Sequence, residues 1–287
     1  MNNQLMPFNA FLVFLLAQVL TTTVCANPLS HSANPTTTVA VSADKRYRIS
    51  AVTAFELQFQ NAHTGEVLHT RAVSDLQGNK SRISAVYTLP VRESFVVALT
   101  DIAEIWQISY ADKPPPGFAG WVHDYRVDSG ENAIPEAFPV RVIHLNHPVL
   151  DLFVDPHGEF LVGVSAQGML QVIDMDLARV VADQIKTSPQ PYPGGAMHWD
   201  YRDGGLLAVP DREEGIVSLL NMDNWKVIKQ INIPGSGKFM TDNADILEAR
   251  VRIISGSKQG LIVSIDKHRL ELLGSGLPAE IKSGRVN

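Results

Sequence analysis

Residues 80–110 decide the fold, and they read KSRISAVYTLPVRESFVVALTDIAEIWQISY. Residues 82–87 alternate polar and apolar side chains, which favours a strand, and Pro90 ends that run. Residues 95–99 form a continuous apolar run, and residues 105–110 are a further strand candidate. The stretch therefore predicts a succession of short β-strands and brief connections.

The composition is that of a globular, mainly β protein. The chain has 287 residues, of which 45% are hydrophobic and 19% are charged, so it can bury a sizeable core. It contains 20 Gly and 17 Pro and few long helical patterns, which favours an all-β fold. The formal net charge is -6 and the pI is about 5.8, and no basic run is present. Nucleic acid is therefore not an expected partner.

The first 26 residues have the pattern of a secretory signal peptide. A short apolar run precedes Val24 and Ala26, whose small side chains predict cleavage after Ala26. The first basic residue is Lys45, so this segment lacks the usual positive start, and an uncleaved anchor or an arbitrary leading sequence are the alternatives. We expect a periplasmic or exported protein with residues 1–26 removed, no membrane span in the mature chain, and a polar linker at residues 27–37.

Cysteine chemistry is not expected in this chain. Cys25 is the only cysteine, and cleavage after Ala26 would remove it. The sequence therefore offers no disulfide, no cysteine zinc site and no catalytic thiol. It also has no C-x-x-C-H motif, so we expect no c-type haem here.

Four segments repeat one pattern, an apolar strand followed by a turn that begins at Asp or Asn and a second strand. Asp174, Asn221 and Asp266 hold equivalent places, 47 and 45 residues apart, and Asn61 holds that place in an earlier copy. A period of roughly 40–50 residues built from short strands is typical of a β-propeller. Neighbouring blades stack because one four-stranded sheet cannot bury both faces alone. The sequence predicts about five blades over residues 38–287.

One segment departs from the period. Residues 113–139 are rich in Pro, Gly and aromatic residues and include KPPPGFAG and WVHDYRV. We interpret this segment as an inserted loop that lies across one end of the propeller, where ligand-binding loops are found.

Residues 80–110 resemble the propeller domain that carries haem d1 in cytochrome-type nitrite reductases and in related haem d1 biosynthesis proteins. In that family S-R-[IV]-S-A-V-Y leads into S-F-V-V-A-L and E-[IV]-W-x-I, and the family motif G-[LW]-V-H-D-Y resembles residues 120–125 here. The resemblance implies a protein associated with denitrification. It covers most of this chain but only the middle of an eight-bladed domain. The two alternatives are therefore a protein partner that covers the open blade edges, or a truncated and unstable product.

The resemblance also implies a cationic side to a tetrapyrrole site. Arg82 matches the motif arginine, and its guanidinium could pair with carboxylates of haem d1. Alternatively, Arg82 caps a strand or pairs with Asp101 or Glu104. His123 and Arg126 lie in or beside the second motif, where His123 could also be a loop histidine bonded to its neighbour or to the backbone.

The histidines of the family are replaced in this chain. The family motif M-P-H-L-G-S-G-I-x-W-x-Y corresponds to residues 190–201, and its histidine position is Tyr192. In the motif G-P-G-F-F-L-R-S-H, the arginine and histidine correspond to Thr241 and Asn243. Iron ligation and proton delivery are both weakened by these changes, although Tyr192 could still ligate iron or donate a proton. We therefore expect a site that is degenerate for catalysis.

Two further patterns are interpreted as structural. His144 and His147 lie in a strand-like segment that places them on opposite faces, so no metal site is expected there or elsewhere. Residues 211–215, DREEG, are predicted to form a solvated hairpin tip.

Three functions remain open from the sequence. The first is a haem d1-type propeller that binds a modified tetrapyrrole or a partner protein, with little chemistry of its own. The second is an active haem d1 biosynthesis or nitrite reductase-like enzyme that uses Tyr192, His123 and Arg82 on the porphyrinoid. The third is a non-catalytic interaction scaffold.

Overall fold

Twenty β-strands in five four-stranded antiparallel sheets make up the fold of the described residues. The structure is a computed structural model that describes residues 38–114, 137–202, 204–242, 246–252 and 261–276. The predicted signal peptide, the linker and most of the inserted loop lie outside these ranges. Within them, no helix is both long and apolar enough to traverse a bilayer.

Each sheet consists of four strands that follow one another in the chain and pair in that order. Short 3-10 turns at Pro90–Arg92 and Pro193–Gly195 precede the second strand of the second sheet and the first strand of the fourth. The strands are β1 (Val39–Val41), β2 (Tyr47–Thr53), β3 (Glu56–Asn61), β4 (Val67–Ala72), β5 (Ile83–Leu89), β6 (Ser94–Leu99), β7 (Glu104–Ser109), β8 (Val140–His144), β9 (Asp151–Val154), β10 (Phe160–Val164), β11 (Met169–Asp174), β12 (Arg179–Lys186), β13 (Met197–Tyr201), β14 (Gly204–Pro210), β15 (Ile216–Asn221), β16 (Val227–Asn232), β17 (Ser236–Asp242), β18 (Ile246–Arg252), β19 (Leu261–Asp266) and β20 (Glu271–Gly276).

Successive sheets pack side by side as propeller blades. The first strands of neighbouring sheets meet, since β1 contacts β5 and β5 contacts β9, while the fourth strands β8 and β12 also touch. Buried apolar clusters fill the spaces between consecutive sheets, from the first pair to the last. The prediction of about five four-stranded blades forming part of a propeller is confirmed.

Burial follows position within each blade. Every residue of β6 and β7 is buried, because these central strands of the second sheet are covered by a neighbouring blade on each face. The outermost strand β4 contains only exposed and partly buried residues, which alternate from Leu68 to Ala72, as expected for a blade edge with one face in solvent.

The repeated Asp or Asn of the sequence caps the turn between the third and fourth strands. The side-chain oxygens of Asn61, Asp174, Asn221 and Asp266 accept backbone N–H groups two and three residues ahead at 2.8–3.0 Å. Such a side chain stabilises a turn by replacing a backbone acceptor. The fourth residue after each cap has a positive φ, and these residues are Gly65, Ala178, Trp225 and Leu270.

The second blade has a different connection at the same place. Ser109 ends β7, and its Oγ accepts the N–H of Ala111 at 3.1 Å. The inserted segment 113–139 then runs between β7 and β8. The insertion therefore replaces the short turn that the other blades use at this point.

Candidate functional site

A fully buried carboxylate, Asp151, lies at the start of β9 and accepts hydrogen bonds from four donors in four parts of the chain. The hydroxyl of Tyr87 donates to its Oδ1 at 2.7 Å, and Arg212 Nη2 donates to its Oδ2 at 2.8 Å. The backbone N–H groups of Leu152 and Gly194 donate to the same two oxygens at 2.9 and 3.3 Å. Charge-assisted bonds of this kind offset the desolvation of a buried carboxylate.

Tyr192 lies beside this carboxylate. The Arg212 guanidinium carbon is 4.3 Å from the centre of the Tyr192 ring, a cation–π distance. Burial raises the pKa of the Tyr192 hydroxyl, the charge of Asp151 raises it further, and Arg212 opposes them. The side chain therefore stays a neutral phenol at neutral pH. A Cβ added at Gly195 would lie 2.6 Å from this ring, so glycine is needed for the ring to sit here.

Tyr87 is fixed more firmly than Tyr192. Burial raises the pKa of Tyr87, and the adjacent Asp151 carboxylate adds to the rise by charge and by accepting its hydrogen bond. In the described residues, the hydroxyl of Tyr192 makes no hydrogen bond. The two phenols thus differ in their contacts. The Tyr87 hydroxyl is hydrogen-bonded to the Asp151 carboxylate, whereas Tyr192 is held by the packing of its ring.

The turn at residues 211–215 is the predicted hairpin tip between β14 and β15, with residues 212–214 exposed, and it brings Arg212 to this site. The prediction of a solvated side chain was wrong only for Asp211. Asp211 is fully buried. Its Oδ1 accepts the N–H groups of Glu213 and Glu214 at 2.8 and 2.7 Å, and its Oδ2 accepts the N–H of Gln190 at 2.7 Å. The buried Asp211 carboxylate thus accepts the backbone N–H groups of the turn. Backbone hydrogen bonds from Arg212 to Gln190 and from Tyr192 to Pro210 join the turn to the segment that carries Tyr192.

Arg82 forms a separate ion pair. Its Nε and Nη2 donate to the two Asp101 oxygens at 2.6–3.2 Å, and its own backbone N–H donates to Asp101 Oδ2 at 2.8 Å. The alternative of pairing with Asp101 is therefore realised. The Arg82 side chain remains 56% exposed, so part of the guanidinium faces solvent.

The other predicted site residues cannot be compared with these. His123, Arg126 and Asn243 lie outside the described residues, and Thr241 is described only as part of the β17 backbone. Among the predicted cofactor residues, the structure thus describes Arg82 and Tyr192. It adds Asp151, Tyr87 and Arg212, which the sequence reasoning did not select.

Asp101→Asn is expected to lower the free energy of unfolding by about 0.5–1 kcal/mol at pH 7, since the pair is partly exposed. The hydrogen bond from Arg82 is the main cause that lowers the pKa of Asp101 from its ordinary 3.8. A lowered folded-state pKa gives stability that is present above the unfolded pKa and is lost as the pH falls through the folded pKa. The difference between wild type and variant should therefore shrink below about pH 4, as measured by urea unfolding across pH.

Asp112→Asn is the matched control. Asp112 pairs with Arg46 at 2.8 Å, but its side chain is 78% exposed, so its loss should change the unfolding free energy less. An Asp101→Asn defect of equal size at pH 7 and below pH 3 would contradict the assignment of a stabilising ion pair.

Comparison with known proteins shows what this chain is similar to. The model of the family described as "Cytochrome D1 heme domain" matches residues 30–124. The dihydro-heme d1 dehydrogenase of Pseudomonas aeruginosa is 32% identical over 240 residues, which are 83% of this chain and 44% of that protein. A solved structure, dihydro-heme d1 dehydrogenase NirN in complex with DHE, aligns with a TM-score of 0.69 and 29% identity over 84% of this chain and 47% of its own.

The matches by sequence and by fold agree with each other. This chain spans about half the length of both relatives, so the activity of those whole proteins does not follow from the match. What does follow is common ancestry of the shared blades and the shared motif segment at residues 80–110. These findings support the haem d1 propeller family for this chain, because residues 30–124 match the family model and the blades are similar to those of the relatives in sequence and in fold.

Proposed function

We propose that this protein binds a modified tetrapyrrole of the haem d1 type and performs little or no redox chemistry on it. The observation that carries the proposal is the Tyr192 site. In a chain related to haem d1 proteins, the position of the family's histidine holds a neutral phenol that stacks against a guanidinium. The Tyr192 ring is held in place by Arg212 and by the close approach of Gly195, which supports binding.

Binding would use flat surfaces and positive charge. The Tyr192 ring and the Arg212 guanidinium form a stacked pair next to which a conjugated macrocycle can lie. Arg212 is 42% exposed and Arg82 is 56% exposed, so both retain donors for the carboxylates of a tetrapyrrole. His123 and Arg126 are proposed as further tetrapyrrole-binding residues on the strength of the family motif alone, since both lie outside the described residues.

Weak chemistry follows from the protonation of Tyr192. Iron ligation by tyrosine uses the phenolate, and general acid catalysis near neutral pH needs a group that titrates there. Because burial and Asp151 raise the pKa of Tyr192, both roles are disfavoured at neutral pH. The site therefore supports binding better than catalysis.

The cellular setting is part of the proposal. We propose a periplasmic or exported location, which the signal-like leader supports, and a link to denitrification, which the family resemblance supports. A protein partner that covers the edges of the partial propeller is the further component.

An active haem d1 enzyme is the second candidate. The observation in its favour is the name of the Pseudomonas aeruginosa relative, dihydro-heme d1 dehydrogenase, whose alignment covers 83% of this chain. An interaction scaffold without a ligand is the third candidate. The candidates differ in what happens to the tetrapyrrole, which makes spectroscopy the test.

Tyr192→Phe is expected to leave the absorption spectrum of a haem d1 complex unchanged. We expect the neutral phenol not to ligate iron, so removal of its hydroxyl should alter neither the Soret nor the long-wavelength band. The measurement is absorbance during titration of the full chain and the variant with haem d1. A changed spectrum in the variant would contradict the binding-only site and favour tyrosine ligation.

Arg82→Ala tests the cationic contact in the same titration. Loss of one charge-assisted contact is expected to weaken binding by about tenfold, corresponding to about 1.4 kcal/mol. Arg46→Ala is the control, because Arg46 is also paired with aspartates, Asp44 and Asp112, outside this site. Equal loss in both variants would indicate a general charge effect and contradict a specific contact at Arg82.

A further inference from the structure

We propose that Asp155, His157 and His198 form a binding site for a divalent transition metal of the zinc type, independent of the tetrapyrrole site. Asp155 and His157 belong to the turn between β9 and β10, and His198 lies on β13 of the next blade. One ligand atom from each side chain lies within 4.8 Å of the other two. Two imidazoles and one carboxylate are a common set for Zn²⁺ and related ions.

The unsatisfied oxygen of Asp155 is the observation that points to a cation. Asp155 is only 2% exposed, and its Oδ2 accepts the N–H of Glu159 at 3.1 Å. That bond explains the turn, but Oδ1 is buried and has no hydrogen-bond partner among the described residues. Its neighbour His157 Nδ1 is 3.6 Å away, which is too long for a hydrogen bond. A buried carboxylate oxygen without a partner is costly, and a bound cation would satisfy it.

The spacing of the donors suits a metal better than a hydrogen bond. A tetrahedral Zn²⁺ with bonds of about 2.0–2.1 Å holds neighbouring donors about 3.4 Å apart. The 3.6 Å between Asp155 Oδ1 and His157 Nδ1 is close to that separation. The rings of His157 and His198 meet edge to face with centroids 5.7 Å apart, so small side-chain rotations would bring a nitrogen of each to one point.

The three side chains differ in how far they can move, which suits a metal site that keeps one coordination position for water. The His157 side chain is 72% exposed and can move towards an ion. The His198 ring packs against Phe153 with centroids 6.0 Å apart, and Asp155 is anchored by its turn. Asp155 and His198 are thus held in place, and His157 can move to complete the set of three ligands, which leaves a fourth position for water. Because the site joins the third and fourth blades, metal binding should also stabilise their contact.

Isothermal titration of the metal-free full chain with ZnCl₂ tests the proposal. We expect saturable binding in the micromolar range or tighter, and a loss of about tenfold or more in His157→Ala and in His198→Ala. His144→Ala is the matched control, since His144 is also exposed beside a carboxylate, 3.4 Å from Glu104, and should leave binding unchanged. Circular dichroism of each variant establishes that it is folded.

Cobalt supplies a second readout that does not depend on affinity alone. Co²⁺ in a four-coordinate site with imidazole ligands absorbs strongly in the visible range, and the band should vanish in the double variant His157→Ala, His198→Ala. Zinc affinity that is the same in wild type, both single variants and the double variant would overturn the proposal. So would wild-type protein that binds neither ion.

Discussion

Replacing Asp151 with alanine is expected to lower the free energy of unfolding by about 2–4 kcal/mol. Breaking a buried ion pair costs about 3–5 kcal/mol when the partner is left buried, but Arg212 is 42% exposed and can return to water. The remaining cost falls on the Tyr87 hydroxyl and on the N–H groups of Leu152 and Gly194, which lose their acceptor. Urea unfolding followed by circular dichroism at pH 7 measures the change.

The two tyrosines give matched controls for that result. Tyr87→Phe removes one donor to the buried carboxylate and should cost about 1–3 kcal/mol. Tyr192→Phe removes a hydroxyl that makes no hydrogen bond within the described residues, so its effect should stay within about 0.5 kcal/mol. Equal effects of the two tyrosine variants, or an Asp151→Ala cost below about 1 kcal/mol, would contradict the described network.

Replacing Phe138 with alanine is expected to cost about 3–5 kcal/mol, the range for truncation of a buried phenylalanine. Phe138 is 8% exposed and lies just before β8, where the inserted segment rejoins the second blade. Its ring stacks on Phe59 at 4.5 Å and meets Tyr47 edge to face at 5.2 Å, both in the first blade. Its carbonyl accepts a hydrogen bond from Arg71 Nη2 at 3.2 Å.

Phe138 therefore anchors the end of the segment that carries His123 and Arg126 against two blades. Thermal and urea unfolding measure the expected loss, and Leu76→Ala serves as the control because Leu76 is 96% exposed. The control should change stability by no more than about 0.5 kcal/mol. A Phe138→Ala effect as small as the control would mean that the ring packing does not hold this junction.

The strands could be predicted because their signals are local. The alternation at residues 82–87 and the apolar run at residues 95–99 correspond to β5 and β6, and β5 ends at Leu89 just before Pro90. The repeat was visible because one side chain per blade caps a turn within three residues of itself. Interactions of this kind are written in short stretches of sequence.

The site could be predicted only in part, because its contacts are long-range. Asp151 meets Arg212 and Tyr87 across 61 and 64 residues, and no local pattern gives such a pairing. A signal was nevertheless present, since Asp151 is a lone charge within the apolar run at residues 149–154, and a buried charge needs partners. The hairpin tip at residues 211–215 could be predicted, but the burial of Asp211 could not, because a carboxylate that caps a turn from inside and a solvated one have the same local sequence.

Tyr192 illustrates the division between the two kinds of evidence. The motif located it, but its protonation depends on burial, on Asp151 and on Arg212, which only the folded chain brings together. Arg82 is the opposite case. Its partner Asp101 is 19 residues away across the β5–β6 pair, and the sequence already offered that pairing as an alternative.

Titration of the full chain with haem d1, followed at the Soret and long-wavelength bands, tests the central claim most directly. The account predicts a saturable spectral shift at micromolar concentration, with the tetrapyrrole recovered chemically unchanged after incubation. No shift at that concentration would contradict tetrapyrrole binding and favour the interaction scaffold. A shift followed by conversion of the tetrapyrrole would contradict the binding-only site and favour an active haem d1 enzyme.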